Sequence, residues 1–216
     1  MNPQPPKLYF LIKLHKIDRP IRPVVSFTTA PSVKLSKKLI PIIKFHSNFQ
    51  PEFSIKNSLE LIDKVKDIII PNNSFLLSFD VKNLFPSVPP NEVIQITSKL
   101  LFENKCVSII REDILNLLQT CLEQNYFEFN GVIYKDGDSL AMGNPLSPLS
   151  AEILMDNLEK RIKVLPSFRR FLFWYRYVDD VFACFVGTRR QLDLFYNSLN
   201  KLHSNIKFTI ELESDN

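Results

Sequence analysis

The segment Phe171-Leu172-Phe173-Trp174-Tyr175-Arg176-Tyr177-Val178-Asp179-Asp180-Val181-Phe182-Ala183-Cys184-Phe185-Val186 decides how this chain is read. Two aromatic and β-branched runs flank a short polar break, the pattern of an antiparallel hairpin with Asp179 and Asp180 at its tip. Asp is also favoured in turns for local reasons, so a plain polar hairpin turn is the alternative reading of the pair. A third carboxylate gives the pair weight. Phe75-Leu76-Leu77-Ser78-Phe79-Asp80 reads as a central strand buried on both faces or nearly so, and it ends in Asp80. If that strand lies beside the hairpin, three carboxylates converge at one end of a sheet. Carboxylates that close raise one another's pKa unless cations neutralise them. Mg²⁺ accepts one or two carboxylates while keeping waters and substrate phosphates. The constellation therefore points to phosphoryl transfer with two divalent ions.

Outward from this centre, the pattern alternates helix and strand. Asn57 caps a helix with Glu60 three residues on, and Leu59, Ile62, Val65 and Ile69 share a face until Pro71. A helix is expected from about Asn91 to Phe102, and another between Arg111 and Gln124, where Ile114, Leu117, Leu118, Cys121 and Leu122 recur at helical spacing. Asn130-Gly131 between Tyr126-Phe127-Glu128-Phe129 and Val132-Ile133-Tyr134 marks a type I′ hairpin. A helix over about 148–163 turns Ala151, Leu154, Leu158 and Ile162 inward, with Ser147 and Pro148 as its cap and first turn. A helix carrying Leu192, Phe195, Leu199 and Leu202 and a strand Ile206-Lys207-Phe208-Thr209-Ile210 close the chain. Residues 1–56, rich in Pro, read as an irregular lobe with one hairpin. The order predicts an α+β fold, an antiparallel sheet with helices on one face.

The 216 residues carry 27 Lys+Arg against 23 Asp+Glu, a net charge of +4, with 45% hydrophobic residues. That suits one compact body with a smaller lobe, not several domains. Cys106, Cys121 and Cys184 make no CxxC pair, and His15, His46 and His203 have no zinc spacing, so neither a disulfide framework nor a structural metal is expected. No apolar run approaches the roughly 18 residues of a membrane span, and Met1-Asn2-Pro3-Gln4-Pro5-Pro6 is unlike a signal peptide. The chain reads as intracellular and soluble, with no membrane partner. Charge is uneven: Lys7, Lys13, Lys16, Arg19, Arg22, Lys34, Lys37, Lys38 and Lys44 face only Asp18 within residues 1–44. A basic lobe of this kind suits phosphates, since each contact releases counterions; a solvated basic face explains charge alone equally well.

Four segments in order resemble reverse transcriptase motifs: Arg22-Pro23-Val24-Val25-Ser26, Phe79-Asp80-Val81-Lys82-Asn83-Leu84-Phe85-Pro86-Ser87-Val88-Pro89, Met142-Gly143-Asn144-Pro145-Leu146-Ser147-Pro148, and Arg176-Tyr177-Val178-Asp179-Asp180-Val181-Phe182. Lys13-Leu14-His15-Lys16, the Phe129-to-Tyr134 hairpin and the aromatic run before Tyr177 are similar to Penelope-like retroelements, which are related to telomerase. The resemblance implies a right-hand polymerase, with a fingers-like lobe over 1–74 and parts of 91–125 and a palm over 75–216. It implies catalytic Asp80, Asp179 and Asp180. Asp80, Asp179 and the Val81 carbonyl would hold two Mg²⁺ ions, with Mn²⁺ an alternative, and Asp180 would support the site electrostatically.

Lys13 and Arg22 would grip the triphosphate, Arg through its bidentate fork. Phe85 would lie under the incoming sugar and exclude a 2′-hydroxyl, with plain core packing as the alternative. Met142 and Gly143 would lie against the nucleotide or template base; a turn glycine is the plain alternative for Gly143. Lys16 and Arg19 would touch nucleic acid or remain solvated. Lys201 and Lys207 follow the aspartates without a specific signal as general acids. The implied partners are an RNA template, a DNA primer and dNTPs, and a nuclear location belongs to the same resemblance. The chain ends 36 residues after Asp180, where the family continues into a thumb, so fingers and palm alone are expected. Two further readings stay open: a truncated or domesticated nucleic-acid-binding fragment without activity, and an RNA polymerase on the same palm. The oligomeric state is not legible.

Overall fold

The computed structural model describes residues 3–12, 14, 19, 21–135, 137 and 139–213. In order they form β1 (Lys7–Ile12), β2 (Ile21–Ser26), α1 (Val33–Ser47), α2 (Ser58–Val65), β3 (Ser74–Val81), α3 (Leu84–Ser87), α4 (Pro90–Glu103), α5 (Ser108–Glu123), β4 (Tyr126–Phe129), β5 (Val132–Lys135), α6 (Ser147–Val164), β6 (Phe171–Tyr177), β7 (Asp180–Val186), α7 (Arg189–Leu199) and β8 (Phe208–Leu212). The fold is α+β, as expected. No described helix is long and apolar enough to cross a membrane. The chain divides into two compact units, residues 1–50 with 85–154, and residues 51–84 with 155–216.

In the first unit a sheet runs β2-β1-β4-β5. β1 and β2 form the expected antiparallel hairpin, from Lys7↔Ser26 to Ile12↔Ile21. β4 and β5 are joined by Asn130 and Gly131 at φ 51° and 77°, the two positive values that a type I′ turn demands. Residues 33–47 form a helix, not irregular chain. Pro41 disguises it, yet α1 keeps Pro41 exposed and buries Ser36, Leu39, Ile43 and Ser47 on one stripe. α1, α4 and α5 pack on one another. Ile114, Leu118, Cys121 and Leu122 are buried as the spacing predicts, whereas Leu117 is 38% exposed.

In the second unit the sheet order is β6-β7-β3-β8, antiparallel throughout. β3 is central, but it buries one face only: Leu77, Phe79 and Val81 are inside while Asp80 is exposed. Its burial alternates because each successive side chain changes face. Phe79 is fully buried, its ring 5.1 Å from Trp174 and 6.3 Å from both Phe195 and Phe208. α7 covers this face through Leu192, Phe195 and Leu199, its start fixed by a capping box of Thr188 and Gln191.

The Asn57 side chain caps α2 by accepting from the Glu60 amide at 2.9 Å. α2 nevertheless ends at Val65, leaving Ile69 90% exposed, because none of its residues is buried and nothing tertiary extends it. β8 begins at Phe208, two residues later than expected. The His203 Nδ1 accepts from the Asn205 and Ile206 amides and turns the chain there. Leu202 accordingly lies beyond α7.

Candidate active site

In the second unit the register places Asp80 of β3 between Asp180 of β7 and Thr209 of β8, and Asp180 opposite Tyr177 of β6. Directly opposed residues share a face, so Tyr177, Asp180, Asp80 and Thr209 form one row across the sheet, opposite in sense to the Phe79 face. Asp80 and Asp180 are exposed there, and Thr209 donates its hydroxyl to the Asp80 carbonyl at 3.3 Å. Two facing carboxylates repel across a ladder. Asp179 occupies the turn and is half-buried, and its backbone carbonyl accepts from the Val81 amide at 3.0 Å. The turn is thereby tied to the strand that carries Asp80.

Among the described residues no group of three or more His, Cys, Asp and Glu gathers as a metal cage. The register sets Asp80 and Asp180 as a facing pair, with Asp179 in the adjoining turn. Asp180 opens β7, whereas Asp179 belongs to the turn before it. Two hard-oxygen donors still suit Mg²⁺, which completes its shell with water and substrate phosphate.

Val178 at the first turn position has φ 57°, a left-handed conformation that costs a β-branched residue about 1–3 kcal/mol. Beneath it lies a buried ion pair absent from the sequence expectations. Arg176 is 0% and Glu159 of α6 1% exposed. The Arg176 Nε and Nη2 donate to the two Glu159 carboxylate oxygens at 2.9 and 3.1 Å, and its Nη1 donates to the Val178 carbonyl at 3.1 Å. The Trp174 Nε1 also donates to Glu159 at 3.1 Å. The sequence carries a signal for it: Arg176 falls on the Trp174 side of a strand that is otherwise aromatic and aliphatic, and Glu159 follows Met155 by one helical turn on the inward stripe of α6.

The first unit gathers the expected nucleotide-contacting residues by backbone lacing. The Val25 amide of β2 donates to the Met142 carbonyl at 2.8 Å, and the Leu140 amide donates to the Phe85 carbonyl at 3.2 Å. Arg22 is exposed on β2 opposite Leu11, and Phe85 and Met142 are half-buried. Gly143 has φ 116°, and a Cβ there would lie 2.0 Å from the Val25 carbonyl oxygen. The close approach that Gly143 permits is thus to β2 of its own chain. Ser147 does not cap α6 as expected; its hydroxyl donates to the Ala141 carbonyl at 2.8 Å and fastens the same loop.

Arg19 is exposed, at φ 42°. Lys13 and Lys16 lie outside the described residues. Lys207 is engaged, its ammonium donating to the Asn200 and His203 carbonyls at 2.7 and 2.9 Å. Burial pushes the thiols of Cys121 and Cys184 up, so both behave as core.

No curated protein matches the chain in sequence. Among solved structures, an apo telomerase from Candida Tropicalis truncated from its C-terminal domain is 14% identical, with a TM-score of 0.66 over 98% of this chain and 50% of that one. Telomerase from Candida albicans in complex with the TWJ fragment of telomeric RNA is 14% identical, with a TM-score of 0.70 over 97% and 43%. A BmCPV RNA-dependent RNA polymerase at its elongation state is 15% identical, with a TM-score of 0.64 over 97% and 20%. At such identities the likeness shows the fold, and the chain spans half or less of each of these proteins. The family model described as reverse transcriptase (RNA-dependent DNA polymerase) matches residues 14–213, and the chain therefore belongs to that family.

Proposed function

We propose that this chain is the catalytic core of an RNA-directed DNA polymerase that extends a primer 3′-hydroxyl on an RNA template with dNTPs. The observation that carries this reading is the facing of Asp80 and Asp180 across β3 and β7, with Asp179 tied to Val81 in the adjoining turn. In the reaction the primer 3′-oxygen forms a bond to the α-phosphorus, loses its proton, and pyrophosphate leaves. Two Mg²⁺ ions, or Mn²⁺, held by Asp80, Asp179 and the Val81 carbonyl, would supply charge stabilisation to the attacking and leaving oxygens. Asp180 supports the site by its charge. Arg22 and Lys13 bind the triphosphate, Phe85 meets the sugar where a 2′-hydroxyl would project, and the loop of Met142 and Gly143 frames the base. Arg19 and Lys16 contact the nucleic-acid backbone. The sheet unit bearing the aspartates serves as palm, and the basic lobe as fingers.

The Lys13-to-Lys16 segment and the hairpin before Met142 favour a Penelope-like retroelement as the source, with nuclear residence following from that origin. Primer extension on poly(rA)/oligo(dT) with Mg²⁺ and dTTP tests the reading. The chain extends the primer and Asp179→Asn does not; a variant as active as the parent refutes it. The likeness to a viral RNA polymerase supports a second reading, RNA synthesis on the same palm. That reading requires ribonucleotides to be used without any change at Phe85. Duplex binding with no extension by the parent chain points to a non-catalytic fragment.

A further inference from the structure

We propose that Arg176, clamped by Glu159, is the positioning residue of the turn that carries Asp179 and Asp180; this deepens the polymerase reading and rests on it for its kinetic consequence. The turn needs a restraint, because Val178 is held in a left-handed conformation that a β-branched residue avoids. Arg176 is placed to supply it. Its planar guanidinium offers donors in a fixed fork, and three of its nitrogens are engaged at once, two by Glu159 and Nη1 by the Val178 carbonyl. The backbone is fixed as well: the Arg176 amide donates to the Phe53 carbonyl and its carbonyl accepts from the Ile55 amide, both at 2.8 Å. The Trp174 indole also donates to Glu159, at the Oε1 that accepts from the Arg176 Nε, and helps to fix the carboxylate.

Stability alone does not call for such a pair, since apolar side chains of similar volume usually serve a buried site as well or better. What the charged pair does, and an apolar pair does not, is donate to a carbonyl at the apex of a strained turn. Downstream of that bond lie the Val81–Asp179 hydrogen bond and the register of Asp180 with Asp80. Glu159 acts only through Arg176, and neither touches substrate.

The test uses the double variant Arg176→Met/Glu159→Gln, which removes both charges together and leaves Trp174 an acceptor, with Arg176→Lys beside it. Lys keeps the charge against Glu159 but lacks the fork that reaches Val178 as well. Hydrogen exchange is read at the Val81 amide against ladder amides between Leu76 and Phe79. The expected result in both variants is at least tenfold faster exchange at Val81 with the interior ladder unchanged. In primer extension, kcat falls at least tenfold while KM for dTTP is unchanged. Val81 exchange at the parent rate in either folded variant overturns the proposal, and Arg176→Lys decides it alone if the double variant does not fold. A parent chain that extends no primer refutes the polymerase reading, while the exchange result still decides the positioning role.

Discussion

Gly143→Ala is the sharpest single perturbation of the first unit. The new methyl carbon would sit 2.0 Å from the Val25 carbonyl oxygen, and at φ 116° any L residue is strained before that contact is counted. The strain costs about 1–3 kcal/mol. Relieving the clash requires the loop to move off β2, which also breaks the 2.8 Å bond from the Val25 amide to the Met142 carbonyl, worth about 0.5–1.5 kcal/mol. The sum is about 2–4 kcal/mol, or a loss of about 1 M in the urea midpoint at a typical slope. Two other glycines provide the scale. Gly131 has φ 77° but nothing within 4 Å of a built Cβ, so Gly131→Ala carries the conformational cost alone, about 1 kcal/mol. Gly137 has no positive φ and nothing within 4 Å, and Gly137→Ala is expected to change the midpoint by less than about 0.3 M. Urea unfolding of the three variants is therefore expected to rank Gly143→Ala far below Gly131→Ala, and that below Gly137→Ala. A Gly143→Ala midpoint equal to that of Gly131→Ala would refute the close packing of this loop on β2.

Mg²⁺ at millimolar concentration is expected to raise the thermal midpoint of the parent chain, because an ion that binds only the folded state stabilises it by mass action; Asp80→Asn should lose the effect, and an equal rise in that variant refutes the site. Phe85→Ala is expected to raise ribonucleotide use relative to deoxynucleotide use by about 10–100-fold, the scale of one lost steric contact, read as the ratio of kcat/KM for UTP and dTTP; an unchanged ratio separates Phe85 from sugar selection. Cys121 and Cys184 hold their protons more tightly when folded than when unfolded. Their contribution is thus fully present below the unfolded thiol pKa of about 8.5 and is lost as pH rises through the higher folded values. Denaturation midpoints between pH 7 and 10 should fall less in C121A/C184A than in the parent, and parallel curves refute the assignment.

What the sequence determined was chiefly local. Asn57 with Glu60, Asn130 with Gly131, and the inward stripe Ala151, Leu154, Leu158 and Ile162 each act through residues within a few positions of one another, and the helix start, the hairpin turn and the buried stripe form where the spacing places them. Asp80 and the Asp179–Asp180 turn were legible for the same reason: a carboxylate ending an apolar strand and a polar break in an aromatic hairpin are both local irregularities. Pro41 hides α1, since a proline outweighs a helical stripe when only neighbours are considered, and α2 ends before its apolar pattern does because burial, not pattern, sets helix length.

Tertiary structure alone decided the rest. Which aspartate faces Asp80 depends on strand register across about a hundred residues of chain. The approach of Gly143 to Val25 joins two distant loops, and the Arg176–Glu159 pair spans a strand and a helix. Pattern marks a charged residue on an inward face as anomalous, but only packing names its partner, because a buried charge is tolerated where its counterion is brought to it.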